Sequence, residues 1–219
     1  MIPGLTLAVD GSTYAGSAAI FDGGDIVASR ELDDSPVPGR GGRPENFLPM
    51  VAGCFADAGV KALDLERVVC GAGPGSFTSL RVAASIAKGI AVGAGCPLYA
   101  VSSLVLVVAG SAPGRYLATL PAMRGELFSA LLEVGSEGSV SEIAAPAIIA
   151  GTAAAGVATS AHALVSDVQP HAKRVQAVLQ QVLSGGACDI DTWEPTYGRL
   201  AEAQVRWEAQ HGRPLSEAR

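Results

Sequence analysis

VVCGAGPGSFTSLRVAASIAKGIAVG, from Val68 to Gly93, holds a short apolar strand, a glycine-rich turn and most of a helix in one unbroken run. Val68, Val69 and Cys70 suit a buried strand, Gly71, Gly73, Pro74 and Gly75 make the turn, and a helix opens near Ser76 to Thr78. A Ser76 or Thr78 hydroxyl can cap that helix, because the first turn leaves backbone N–H groups without partners. Gly93 or Gly95 ends it, and Pro97 forbids continuation. Ala83, Ala84, Ala87, Gly89 and Ala91 are small enough for another helix to approach its backbone closely.

Backbone N–H groups at such a turn, together with the helix dipole, favour an anion. A Walker loop needs Lys and then Ser or Thr after its last glycine, whereas Gly75 is followed by Ser76, Phe77 and Thr78. The dinucleotide fingerprint also fails, since its third glycine would fall on Ser76. By residue type, a turn that needs glycines for steric reasons is favoured over a phosphate site.

Upstream, Leu5 to Val9 is a continuous apolar run suited to a strand covered on both faces, and it delivers Asp10 at its end. Ser17 to Phe21 forms a second strand, Asp22, Gly23 and Gly24 a hairpin turn, and Asp25 to Leu32 a third strand. A meander opening on Asp10 resembles the start of the actin, sugar-kinase and Hsp70 fold, which implies a carboxylate that helps hold magnesium and nucleotide phosphate; the favoured reading is that Asp10 caps the turn through Gly11 and Ser12. Asp33 to Pro44 is a loop rich in Pro and Gly. Glu45 to Ala58 makes a helix with Phe47, Leu48, Val51, Cys54, Phe55 and Ala58 at helical spacing, closed by Gly59.

Downstream, Leu98 to Val101 reads as a strand, Ser102 or Ser103 caps a short helix through Ala109, and a second lobe begins there. Tyr116 to Leu120 and Glu126 to Glu133 read as a strand pair. Ser136 to Ser160 carries little pattern. Ala163 to Ser166 reads as a strand, Pro170 to Leu183 as a helix with Pro at its first position, and Leu200 to Gln210 as a closing helix. Trp193 to Tyr197 returns the chain to the first lobe.

The formal charge of −6 argues against this chain gripping nucleic acid by itself, because phosphate binding relies on clustered Lys and Arg. Cys54, Cys70, Cys96 and Cys188 show no CxxC spacing, so buried free thiols in a reducing cytoplasm are the expectation. The N-terminus has no basic region before its apolar run, and the charge-free stretch from Gly89 to Gly114 is broken by Gly95, Pro97, Ser102 and Ser103, so it reads as buried protein and not as a membrane span. His162, His171 and His211 have no metal-ligand spacing. Ser76 lacks a base nearby in sequence, and no GxSxG elbow is present.

GPGSFTSLRVAASIAKGIA, Gly73 to Ala91, closely resembles the GPGSFTGLR…AKGLA signature of the bacterial TsaB family. LAVDGSTYAGSAAIFDGG at Leu7 to Gly24 is similar to the opening segment of that family, FLPMV at Phe47 to Val51 to its first-helix motif, and EPTYGR at Glu194 to Arg199 to its EPVYLR ending. Two departures stand out. Arg43, Pro44 and Glu45 occupy places where relatives carry a His with Ser or Thr and Glu or Gln, and Pro121, Ala122 and Met123 stand where relatives place DAR, with Arg124 one position later.

The resemblance implies an α/β chain of degenerate actin/Hsp70/sugar-kinase-like (RNase H-like) fold in two lobes, 1–103 plus 193–219 and 104–192. It implies a non-catalytic scaffold and activator of TsaD in making N6-threonylcarbamoyladenosine at position 37 of tRNAs, with a TsaE-like ATPase joining the pair and tRNA reached only through the complex. ATP and magnesium would serve the assembled complex, with no cofactor bound by this chain alone, no metal site and no catalytic residue of its own. Phe47, Val51, Phe55, Leu80, Arg81, Ala84, Ala87 and Lys88 are the expected partner interface, with Arg81 and Lys88 on a solvated edge or rim, and Asp10, Ser12, Gly73, Gly75 and Ser76 a vestigial phosphate site. Whether the chain pairs with itself when the partner is absent stays open. The competing reading is an ATP-dependent small-molecule kinase using Asp10 and the Gly73 to Ser76 turn.

Overall fold

The computed structural model describes residues 3–32, 46–158, 163–166, 168–198 and 210–212. The helix expected at Leu200 to Gln210, the helix entry at Arg43 to Glu45, Arg199 and His162 fall wholly or mostly outside these residues.

The first sheet is built from β1 (Leu5–Asp10), β2 (Ser17–Asp22), β3 (Asp25–Glu31), β4 (Leu65–Gly71) and β5 (Leu98–Val101), in the order β3-β2-β1-β4-β5. β2 is antiparallel to β1 and β3, whereas β4 runs parallel to both β1 and β5. This mixed sheet with helical crossovers is the expected α/β class. A parallel neighbour needs a crossover, which α1 (Phe47–Ala58) supplies between β3 and β4 and α2 (Phe77–Ala94) between β4 and β5.

The apolar run of β1 is continuous because both faces of the sheet are covered. Leu7 and Val9 join Ile20, Val68, Cys70 and residues of α1 and α2 in one core. Ala8 points the other way and joins Ala19, Phe21 and Val69 in a second core with α3 (Ser103–Val108) and α5 (Val175–Ser184). All six residues of α3 are buried. The same core continues into a second sheet, ordered β8-β7-β6-β9, made of β6 (Gly114–Pro121), β7 (Glu126–Val134), β8 (Val140–Ala150) and β9 (Ala163–Val165).

Helix ends follow the predicted chemistry at the C-terminal side and depart from it at the N-terminal side. α1 and α2 stop at Gly59 and Gly95, both with φ 66°, where a residue with Cβ would be strained. Gly95, and not Gly93, therefore closes α2. Ser76 occupies the N-cap position of α2, yet its hydroxyl meets the Ser79 hydroxyl at 3.1 Å and does not cap the helix. The region between Ser136 and Ser160 holds β8 and the short α4 (Ala154–Val157). The helix expected from Pro170 begins as a 3-10 turn at Ala172–Arg174 before α5 takes over.

Candidate functional site

Parallel pairing of β1 with β4 sets Val9 beside Cys70, so Asp10 arrives next to Gly71. A Cβ at Gly71 would collide with the Asp10 carboxylate, which explains the glycine by close approach. One Asp10 oxygen accepts from the Ser12 N–H at 3.0 Å and the Ser12 hydroxyl at 2.6 Å. The other accepts from the Ser103 hydroxyl at 2.6 Å, and Ser103 Oγ accepts in turn from the Gly73 N–H at 3.1 Å. Burial pushes the Asp10 carboxyl up, and these hydrogen bonds oppose that shift.

The turn that follows is satisfied the same way. Ser76 N–H donates to the Ser12 carbonyl at 2.7 Å, Ala72 N–H to Val101 at 2.7 Å, and Thr196 N–H to Ala72 at 2.7 Å. A Cβ at Gly75 would strike the Ser12 backbone, so Gly75 serves chain packing. The residues present do not fit a magnesium-bound phosphate: both carboxylate oxygens of Asp10 are engaged, Asp10 is 1% exposed, and the N–H groups of Gly73 and Ser76 are already donated internally. Asp10, Ser12, Gly73, Gly75 and Ser76 are thus brought together, but as a closed knot. Ser103, absent from the sequence-based set, completes it from 93 residues away.

Beyond the turn lies an open cleft of about 410 Å³ between the ends of β4 and β5 and the strands β7 and β8. Val101, Phe128, Pro146 and Ile148 give it apolar walls, and Glu142 is the charged residue among the described lining. No described Lys or Arg lines it. Among the described residues, no three His, Cys, Asp or Glu side chains gather as a metal site. His171 accepts from the Lys173 N–H through Nδ1 at 3.0 Å and sits 3.5 Å from Glu31, far from Ser76 in role, since it caps the turn entering α5. Burial raises the thiols of Cys54, Cys70, Cys96 and Cys188, all of them free. None is thereby made nucleophilic. Arg124 adopts φ 64° and ψ 32° at the β6–β7 connection and is exposed.

The helix faces require a correction to the expected interface. Phe47, Val51, Leu80, Ala84 and Ala87 are 0%, 1%, 0%, 5% and 0% exposed, so the chain itself covers them. Their job is internal: the alanines let α2 settle close to β1 and β4, where a Cβ on Gly11 would already touch Ser79 and Ala83. Phe55 is half-buried beside the same core. Of the expected residues Arg81 is exposed and Lys88 half-buried, and the other exposed positions on these helices include Leu48 (56%), Ala52 and Ala56 on α1 and Ser85, Gly89, Val92 (66%) and Gly93 on α2. A Cβ at Gly89 or Gly93 would meet nothing within 4 Å.

Arg81 and Lys88 share a side of α2, and the chain between Cys188 and Gly198 runs along it as a strap. Cys188 N–H donates to Leu98 at one end and Thr196 N–H to Ala72 at the other. Lys88 lies over the Trp193 ring at 5.8 Å, and Arg81 over Phe77 at 4.2 Å and Tyr197 at 5.4 Å. Sequence spacing put the two cations on one face but could not place Tyr197 and Trp193, which pack against them from more than a hundred positions away.

Residues 43–184 match the family model described as TsaD: tRNA N6-adenosine threonylcarbamoyltransferase. The chain is 34% identical over 126 residues to the tRNA threonylcarbamoyladenosine biosynthesis protein TsaB of Escherichia coli, a match that covers 56% of this chain and 52% of that protein. It is 36% identical over 98 residues to the Haemophilus influenzae TsaB, covering 45% and 39%. The chain matches about half the length of these curated relatives or less. Its fold is that of YeaZ from Pseudomonas aeruginosa, with a TM-score of 0.73 at 23% identity over 89% of this chain and 99% of the other. No helix among the described residues is long and apolar enough to cross a membrane.

Proposed function

Since the chain belongs to the tRNA N6-adenosine threonylcarbamoyltransferase (TsaD) family and is TsaB-like within it, we propose that it is a non-catalytic scaffold and activator. On this reading it binds a TsaD-like transferase in the complex that makes N6-threonylcarbamoyladenosine at position 37 of tRNAs. A TsaE-like ATPase joins them. ATP and magnesium serve the assembled complex, and tRNA is met through the other subunits in the cytoplasm.

The observation that carries this reading is the closed knot around Asp10. In a phosphate-handling member of such a fold, a carboxylate and turn amides must be left for the ligand; here Ser12, Ser103 and the Ser12 carbonyl take them. Nothing in that knot can polarise a phosphate or hold its metal. The helices α1 and α2 beside it offer exposed small and apolar residues instead, and the open space at Gly89 and Gly93 leaves room for a partner backbone. Its charge of −6 leaves the basic surface for tRNA to another subunit.

Calorimetric titration of the chain with Mg-ATP, and separately with the TsaD-like subunit of the same organism, tests the reading. Saturable binding of the subunit and no heat with Mg-ATP is the expected pair of results. Tight Mg-ATP binding by the chain alone would overturn it and favour a small-molecule kinase.

A further inference from the structure

We propose, on the basis of the scaffold reading, that Arg81 is a preorganised receptor for one carboxylate on a helix of the partner subunit. Its guanidinium is held over the Phe77 ring, one helical turn earlier, and the Phe77 and Tyr197 rings meet with centroids 4.5 Å apart at 47°. Arg81 Nε donates to the Tyr197 hydroxyl at 3.2 Å. The side chain is nonetheless exposed, and with the described residues its Nη1 and Nη2 groups make no hydrogen bond.

The contrast with other arginines points to what is missing. Arg30, Arg67 and Arg115 meet Asp57, Glu66 and Glu133 of their own chain. Arg174 meets the carbonyls of Val107 and Ala109. Arg81 meets two rings and a phenol, which fix its position without neutralising its charge. In a chain with 21 acidic residues, no described carboxylate takes it. A fork already immobilised loses little further freedom on binding, and its two outer amines match a carboxylate.

Its placement says where that carboxylate comes from. Arg81, Ser85, Gly89 and Gly93 follow one another at four-residue spacing, an i+4 row that winds obliquely along α2, and all are exposed. The row forms a small-residue furrow with a fixed positive charge at its N-terminal end. A partner helix seated in the furrow meets that charge with an Asp or Glu at its corresponding end. A nucleic-acid phosphate is the less suitable guest, because phosphate grip comes from several clustered cations and the next cation on this side, Lys88, is turned onto Trp193.

The test titrates the TsaD-like subunit into the wild-type chain and into Arg81→Met, Arg81→Lys and Tyr197→Phe, at low and high salt, with thermal melts of each variant. Arg81→Met should weaken binding by about 10- to 30-fold, in the range of an interface hot spot. Arg81→Lys, which keeps the charge and loses the fork, should fall between it and wild type, and Tyr197→Phe should weaken binding by a smaller factor. The salt dependence of affinity should shrink in Arg81→Met. Unchanged affinity in a folded Arg81→Met overturns the assignment while leaving the scaffold reading intact. Should Arg81→Met fail to fold, Arg81→Lys binding as tightly as wild type overturns it equally. Wild-type chain that does not bind the subunit refutes the scaffold reading and this assignment with it; with tRNA titrated into each assembled pair, a loss confined to tRNA binding would make the guest a phosphate and overturn the assignment.

Discussion

Asp10 and Arg81 are both ionic groups fixed beside the start of α2, and they are treated in opposite ways. Around Asp10 every strong acceptor position is matched by a serine hydroxyl or an amide of the same chain. Around Arg81 the partners are aromatic, so the side chain is held in place while its charge stays outward. The difference separates structure from recognition: polar groups answered internally stabilise the fold, and those left outward are free to meet another molecule.

The same division runs through α2, and the largest effect should come from crossing it. Ala87→Arg places a charge in a fully buried position, and the loss should exceed about 3 kcal/mol, a large share of the stability of an ordinary domain. Thermal melting would show a chain that unfolds well below the wild type; a folded Ala87→Arg that merely fails to bind its partner would mean that this face is open. Asp10→Ala should cost less, about 2–3 kcal/mol, by stranding the Ser103 and Ser12 hydroxyls. Denaturant unfolding measures it, and a neutral result would contradict the knot as a structural element.

Outward-facing substitutions should behave differently. Gly89→Ala adds a methyl group into open space and removes a glycine from a helix interior, so the isolated chain should gain about 0.5–1 kcal/mol. Gly89→Glu should leave melting near that of the wild type yet abolish binding of the TsaD-like subunit. Loss of stability in either variant would show that this side of α2 is occupied by its own chain.

The smallest expected effect is a pH dependence from His171. Burial lowers the pKa of this imidazole, with Lys173 and Arg174 adding to the shift and Glu31 of β3 opposing it. The unfolded chain therefore binds a proton more readily than the folded one. The stability this contributes is fully present above the ordinary His value of about 6.5 and is lost as pH falls from there through the lowered folded value. His171→Asn keeps a side-chain acceptor for the Lys173 N–H and should flatten that part of the stability curve. An unchanged curve would assign the acid sensitivity to other groups.

These contrasts also mark what a reader of the sequence can and cannot see. The run from Leu5 to Val9, the hairpin at Asp22 to Gly24, and the strand, turn and helix from Val68 to Gly95 were legible because each depends on neighbours in the chain: apolar continuity, glycine at a positive φ, proline after a helix end. β8 was not, since Val140 to Ala150 is an edge strand with most of its residues exposed and shows no alternation of apolar and polar side chains. The closing of the Asp10 site was equally hidden, because it depends on Ser103 and on the Ser12 carbonyl, contacts set by tertiary packing.

The interface expectation failed at Ala84 and Ala87 for a related reason. Small residues at helical spacing permit close approach without saying whether the approaching surface is a partner or the chain's own sheet. Arg81 stands on the opposite side of that ambiguity, with its position fixed by Phe77 and by Tyr197 from the far end of the chain.

The most direct test of the scaffold account is a reconstituted modification reaction. It contains tRNA, a source of threonylcarbamoyl-adenylate, the TsaD-like subunit and the TsaE-like ATPase, with and without this chain, and reads modified adenosine by mass spectrometry. The account predicts product only when the chain is present. Equal product in its absence, with subunits from the same organism, would contradict it.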